Sequence, residues 1–344
     1  MKRIAFFDTK PYDKTYFDLH KENSGLEFKY FESKLNPDTV GMTAGFDGVV
    51  AFVNDDINAD VIDKLYDNGI RVIAMRCAGY NNVNFKSAYK KIHIVRVPAY
   101  SPYAVAEHTM AMLLTLNRKT HKAYNRTRDF NFSLSGLVGF DLHGKTVGII
   151  GTGKIGKIFI NICRGFGLNV IAYDPYPDKT IDIEYVSLKE LCSHSDIISL
   201  HCPLSESTRH IINEETLGLM KEGVYIINTS RGALIDSEAL LEAIKSEKVG
   251  GAALDVYEEE TDLFFEDFSG EIVYDDVLSR LISMPNVLVT SHQAFLTKEA
   301  LENIATTTID NLKDFFDDKP LANEVCYNCN KNGSCKKEHK ERCF

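Results

Sequence analysis

Short apolar runs alternate along this chain with longer stretches in which apolar residues recur every three or four positions. The runs at 3–7, 26–31, 48–53, 70–75 and 93–97 are short and rich in Val, Ile and Phe, a pattern that predicts strands. Residues 59–68 have helical spacing and end at Gly69, where a left-handed cap can close a helix. Pro98 and Pro102 break the rhythm, and a long apolar helix is predicted over 103–118. From Lys145 the alternation restarts. Strands are predicted at 146–150, 169–173, 196–201, 224–228, 251–256 and 287–290, with helices between them such as 237–245. A last helix over 297–316 can carry the chain back to where it began. Strands alternating with helices form parallel sheets covered by helices. The expected class is α/β with two doubly wound domains: residues 101–296 are inserted into a domain made of 1–100 and 297–344, whose end, 326–343, is a Cys-rich tail.

Composition narrows the picture. A length of 344 residues suits two domains, and 44% hydrophobic with 26% charged residues lets each bury a core. The net charge of -10 is spread along the chain, which makes nucleic acid and anionic membrane poor partners. It leaves room for a small anion, which needs only one or two local cations. The opening MKRIAFFD is too short an apolar stretch for a signal-peptide core or a membrane span, so a cytoplasmic protein is expected. Cys77, Cys163, Cys192 and Cys202 lie in apolar segments, as buried reduced thiols do.

The first chemistry appears at Gly151-Thr-Gly153-Lys-Ile-Gly156. The G-x-G-x-x-G pattern is weak by itself. Here it follows a predicted strand, opens a helix, and is followed by a second strand that ends in Asp174. That context matches a dinucleotide-binding fingerprint. Gly151 permits the tight turn, Gly153 lets backbone approach a pyrophosphate, and Gly156 lets the helix pack close to the strand. The N–H groups that open the helix then face the phosphate charge. Asp174 can accept hydrogen bonds from ribose hydroxyls and repels a 2′-phosphate, which favours NAD over NADP. The inserted domain is thus expected to be a Rossmann NAD-binding domain.

Three segments fall at the C-terminal ends of predicted strands in that domain: Asn228-Thr-Ser-Arg-Gly232, Asp255-Val-Tyr-Glu-Glu-Glu-Thr261 and Thr290-Ser-His-Gln-Ala-Phe295. Ligands of open α/β sheets bind at that edge. Topology therefore sends an Arg, a Glu cluster and a His to one side of one sheet. Reduction of a 2-keto acid needs a hydride from the nicotinamide and a proton for the carbonyl oxygen. A His suits the proton, a carboxylate favours its protonated ring, and an Arg holds the substrate carboxylate. Each residue has a structural alternative: Arg231 could cap a helix or pair with an acid, the glutamates could be surface charge, and His292 could simply end a strand.

The motifs HGKTVGIIGTGKIG, HCPLSESTRHIIN, INTSRGALID, ALDVYEEETDLF, PNVLVTSHQAFLT and VPAYSPYAVAEHT together resemble the D-2-hydroxyacid dehydrogenase family, and within it the D-lactate dehydrogenase branch. The resemblance runs from about residue 1 to about 325. It implies a flavodoxin-like substrate domain, pyruvate as substrate and a homodimer. It implies Arg231 as substrate-binding and catalytic, Glu260 as the partner of the histidine, and His292 as proton donor. NAD contacts would come from Lys154, Ile155, Asp174, Cys202, Pro203, Thr208, Thr229, Ser230, Arg231 and Asp255, the last binding the nicotinamide amide. From the other domain, the loop Arg76-Cys-Ala78-Gly79 would offer backbone N–H groups to the carboxylate, and Tyr100 would contact substrate. Phe52 and Phe295 would line the pocket, where bulky rings favour pyruvate, or else be core packing. His108 is read as structural. Larger 2-keto acids, and an NAD-sensing binding protein of corepressor type, remain alternatives. The tail, with Cys326, Cys329, Cys335, Cys343 and His339, departs from the family pattern; such a tract could bind zinc or be a flexible, oxidisable end, and no metal is assigned to it.

Overall fold

The computed structural model describes residues 1–259, 263–328 and 341–344. The strands are, in order, β1 Lys2–Phe6, β2 Leu26–Tyr30, β3 Gly48–Ala51, β4 Val72–Met75, β5 His93–Arg96, β6 Thr146–Ile150, β7 Asn169–Tyr173, β8 Glu184–Tyr185, β9 Ile197–Leu200, β10 Val224–Asn228, β11 Val249–Leu254, β12 Val287–Val289 and β13 Glu324–Val325. The helices are α1 Pro11–His20, α2 Ala59–Asp67, α3 Phe85–Ala88, α4 Pro102–Arg118, α5 Thr120–Arg128, α6 Lys154–Gly165, α7 Leu188–His194, α8 Glu214–Leu219, α9 Ser237–Lys245, α10 Asp276–Ser283 and α11 Lys298–Phe316. Two compact units divide the chain: Met1–Ser101 with Leu296–Phe344, and Pro102–Phe295.

The first unit is a six-stranded sheet in the order β13-β5-β4-β3-β1-β2, parallel except for β13. The order 2-1-3-4-5 of its first five strands is flavodoxin-like. Packing at β1 is aromatic: Phe6 meets Phe17 of α1 edge-on at 4.8 Å, and Phe17 meets Phe28 at 5.6 Å.

The second unit is a fully parallel seven-stranded sheet, β12-β11-β10-β9-β6-β7-β8. Counted from β6, this is the Rossmann order, and it reverses between β6 and β9. Burial on both faces follows from side-chain alternation. Val147, Ile149, Ile197, Ile227 and Ala253 join one core with Met110 and Leu113 of α4 and Phe159 of α6. Ile150, Ile198, Leu200, Ile226 and Leu254 join the opposite core with Leu191 of α7 and Leu240 of α9. A parallel sheet needs both faces covered, so its strands read as continuous apolar runs.

β6, β7, β10 and α9 occupy the residues predicted for them. β11 begins and ends two residues earlier than its prediction, because the register of β10 against β11 shifts at Val224/Tyr225 and Asp255 already belongs to the turn beyond. The two-residue β8 and β13 have no periodicity to betray them. Among the described residues no helix is long and apolar enough to cross a membrane.

Candidate active site

The glycine turn is dictated by space. Gly151 has φ +96°, and a Cβ there would meet Cys202 N at 2.6 Å. A Cβ on Gly156 would meet Gly151 O at 2.2 Å, so helix and turn touch as expected. A Cβ on Gly153 would meet nothing within 4 Å, and no side chain caps α6 there. The N–H groups opening α6 at Lys154 and Ile155 are therefore left to an anion, and the opening fits a pyrophosphate.

Asp174, at the end of β7, accepts from Thr152 N and Oγ1 at 2.8 and 2.9 Å and from Tyr176 N at 2.9 Å. Partial burial pulls its carboxyl up, but these bonds outweigh it and hold the group below the usual range. Asp174 is thus a fixed anion beside the glycine turn. Cys202, after β9, is buried, and burial pushes its thiol up to about 11. Its carbonyl accepts Ser230 Oγ at 2.8 Å, and Pro203 O accepts Thr208 Oγ1 at 2.7 Å.

Arg231 follows β10 in a turn tied by Asn228, whose Oδ1 accepts Ser230 N at 3.0 Å and whose Nδ2 donates to Arg231 O at 2.8 Å. The next residue must be glycine, since a Cβ on Gly232 would overlap the Tyr257 carbonyl at 2.0 Å. The Arg231 guanidinium donates to Ser230 O at 2.7 Å and has no acidic partner among the described residues. Sequence reasoning overlooked Asn228 and Gly232, although an Asx-turn pattern and a glycine beside a charged residue were there to read.

His292, half-buried in the turn after β12, has φ +53°, a left-handed conformation that non-glycine residues rarely adopt. Its N–H donates to Asp255 O at 2.7 Å. The fully buried Asp255 carboxylate accepts Thr290 Oγ1 at 2.6 Å, Gln293 N at 2.9 Å and Ala294 N at 2.8 Å. Burial works against its charge, and these donors overcome that, leaving Asp255 ionised below the usual range. Its observed partners are those of a residue that folds the His292 turn. Glu260 lies outside the described residues. Of its neighbours, Glu258 accepts from Arg209 at 2.5 Å and His210 at 2.8 Å, and Glu259 is exposed.

In the first unit one expectation is corrected. Arg76 does not offer its backbone N–H to a ligand, because that group donates to Ala51 O at 3.0 Å in the sheet. Its side chain is 2% exposed, donates to Asp8 O at 2.5 Å and pairs with Asp13 at 3.3 Å. Phe52 is 5% exposed, with the Arg76 guanidinium 3.9 Å over its ring. The N–H groups of Ala78 and Gly79 have no acceptor among the described residues, while Ala78 O accepts Arg96 at 2.8 Å. Tyr100 and Phe295 are half-buried, and Tyr100 O accepts Asn303 Nδ2 at 2.8 Å. In the tail, Cys329, Cys335 and His339 lie outside the described residues, Cys326 is buried, and Cys343 N donates to Glu324 Oε2 at 2.6 Å.

Residues 110–294 match the family model described as D-isomer specific 2-hydroxyacid dehydrogenase, NAD binding domain. The D-lactate dehydrogenase of Escherichia coli is 49% identical over 327 residues, covering 94% of this chain and 99% of its own. Among solved structures, the pyruvate reductase of Chlamydomonas reinhardtii superposes with a TM-score of 0.89 at 44% identity, covering 94% of this chain and 98% of its own. The D-lactate dehydrogenase of Lactobacillus jensenii with NAD+ superposes at 0.78 and 30% identity, with coverage of 94% and 99%.

Proposed function

The chain belongs to the D-isomer specific 2-hydroxyacid dehydrogenase family, and on that premise we propose that it is a D-lactate dehydrogenase reducing pyruvate with NADH. One observation carries the reading: Arg231 and His292 stand after β10 and β12, two strands of one sheet flanking β11, and Arg231 has no acidic partner among the described residues. Such an arginine is available to grip a substrate carboxylate and polarise the neighbouring carbonyl. His292 gives its ring proton to the carbonyl oxygen, and Glu260 is the carboxylate that favours the protonated ring. The engagement of Glu258 with Arg209 and His210 supports Glu260 in that part. Ala78 and Gly79 N–H groups bind the substrate carboxylate, with Tyr100 and Phe295 facing the substrate. Bound NADH supplies the hydride. Gly151, Gly153, Lys154, Ile155 and Gly156 hold its pyrophosphate, Asp174 its ribose, and Cys202, Pro203, Thr208, Thr229, Ser230 and Asp255 the remainder.

NADH oxidation is to be compared for pyruvate, 2-ketoisocaproate, phenylpyruvate and hydroxypyruvate, with the chirality of each product determined. The expected result is D-lactate and a kcat/KM for pyruvate at least about tenfold above the larger acids. A larger acid ahead of pyruvate would move the reading to a broader D-2-hydroxyacid dehydrogenase. Asp174→Asn keeps an acceptor but removes the charge that repels a 2′-phosphate. The ratio of kcat/KM for NADH over NADPH is expected to fall about tenfold or more; an unchanged ratio would count against Asp174 as the discriminating group.

The protein works as a homodimer in the cytoplasm. Phe130, Phe132, Leu134 and Val138 are each more than 70% exposed in the segment after α5. Such a run suits a surface covered by a second copy. Light scattering is expected to give twice the 38.7 kDa chain mass, and Phe130→Asp with Phe132→Asp to lower it. Cys77, Cys163, Cys192 and Cys202 are buried thiols, in keeping with a reducing compartment.

A further inference from the structure

A single stretch of α4 meets both of the turns that carry Arg231 and His292. Thr109 is fully buried, and its Oγ1 donates to Val105 O at 2.7 Å. With its one proton so used, it accepts from Thr229 Oγ1 at 2.8 Å. Thr229 stands two residues before Arg231. The preceding residue, His108, has its Nε2 buried, without a well-formed hydrogen bond, and 3.4 Å from Asp255 Oδ1. Asp255 is the carboxylate wrapped by the His292 turn. One helical turn beyond His108, Met112 Sδ lies 3.7 Å from Thr290 Oγ1 in that same turn.

The two turns leave strands that are not neighbours, since β11 runs between β10 and β12. The backbone joins the two turns only through β11 and Asp255, whose N–H donates to Asn228 O at 2.9 Å and whose O accepts His292 N at 2.7 Å, and this leaves the side chains at the strand ends to be steadied. A side chain at a strand end swings with its turn, and the reaction tolerates little swing. A displacement of about 1 Å in a reacting group costs about a hundredfold. α4 is packed along the sheet through Met110 and Leu113 and is a rigid reference for both turns.

We propose that Thr109 and His108 are positioning residues that hold the Arg231 and His292 turns in register, Thr109 through Thr229 and His108 through Asp255. This rests on the dehydrogenase reading above. The two legs act on different parts of the reaction. Thr109 steadies the group that grips the substrate, so its loss falls mainly on KM. His108 steadies the proton donor, so its loss falls mainly on kcat. A purely structural role would lower kcat, raise KM and lower thermal stability together.

The test uses the full-length protein and the variants Thr109→Val, Thr109→Ser and His108→Gln. Thr109→Val should raise the KM for pyruvate about tenfold with kcat nearly unchanged, and Thr109→Ser, which keeps the hydroxyl, should restore it. His108→Gln should lower kcat about tenfold with KM nearly unchanged. NADH affinity, followed by fluorescence, should stay within about threefold throughout. Hydrogen–deuterium exchange supplies a readout that needs no turnover. Thr109→Val should speed exchange at 229–232 and not at 290–294, and His108→Gln the reverse. A fall in kcat together with a rise in KM in both variants, no rescue by serine, or exchange rising equally in both turns would overturn the brace. A wild-type chain inert toward all 2-keto acids would overturn the function instead, and the exchange data would still decide the brace.

Discussion

His292→Asn is expected to lower kcat for pyruvate reduction by about a thousandfold, within the range for losing a general acid, while NADH still binds. Asparagine is chosen for a structural reason. His292 has φ +53°, and asparagine enters that region more readily than most side chains. The substitution therefore removes the proton donor and leaves the turn intact. The turn itself is fixed by backbone and by Asp255, through Gln293 N, Ala294 N and Thr290 Oγ1, none of which belongs to the His292 ring. NADH affinity within about threefold of the parent would show that the fold of the edge survived. A fall in kcat of less than about tenfold would remove His292 from the proton-transfer step.

Arg231→Lys carries the second large effect. The charge is kept, but the planar fork that matches a carboxylate with two parallel bonds is lost. The kcat/KM for pyruvate is expected to fall by about a hundredfold to a thousandfold, comparable to removing one preorganised donor from a developing oxyanion. Thermal stability should hardly move. Arg231 has no acidic partner among the described residues, and the turn is tied by Asn228 through backbone atoms that lysine also has. If Arg231 were structural, the pattern would reverse, with the melting temperature dropping by several degrees and kcat/KM nearly retained. Steady-state kinetics and calorimetry on one preparation separate the two outcomes.

The elements most legible along the chain were those whose cause is local. β6, β7 and β10 are apolar runs bounded by glycine, charge or turn residues, and each occupies the predicted residues. Gly151 and Gly156 could be assigned in advance because a tight turn and a close helix leave no alternative to glycine, and the contacts a Cβ would make bear that out. What stayed hidden depends on partners far along the chain. Arg76 looked like a loop residue facing a ligand, but Asp8 and Asp13 draw its side chain inward. Glu258 and its two neighbours are equivalent as letters, and only Arg209 and His210 distinguish Glu258. His108, mid-helix and read as structural, lies against the carboxylate of Asp255.

By itself, then, the sequence determined the class of the fold, the glycine turn with its acid at the next strand end, and the set of polar residues delivered to one edge of a parallel sheet. These follow from periodicity, from steric exclusion of Cβ atoms and from the direction of parallel strands, all of which are written within short windows. Only the tertiary structure decided which charges are neutralised by partners within the fold. A carboxylate or guanidinium takes its role from what lies within about 4 Å, where Coulomb energies and desolvation are largest. The turns that carry Arg231 and His292 meet α4 through Thr229 and Asp255, which touch Thr109 and His108. Their geometry is a property of the packed sheet.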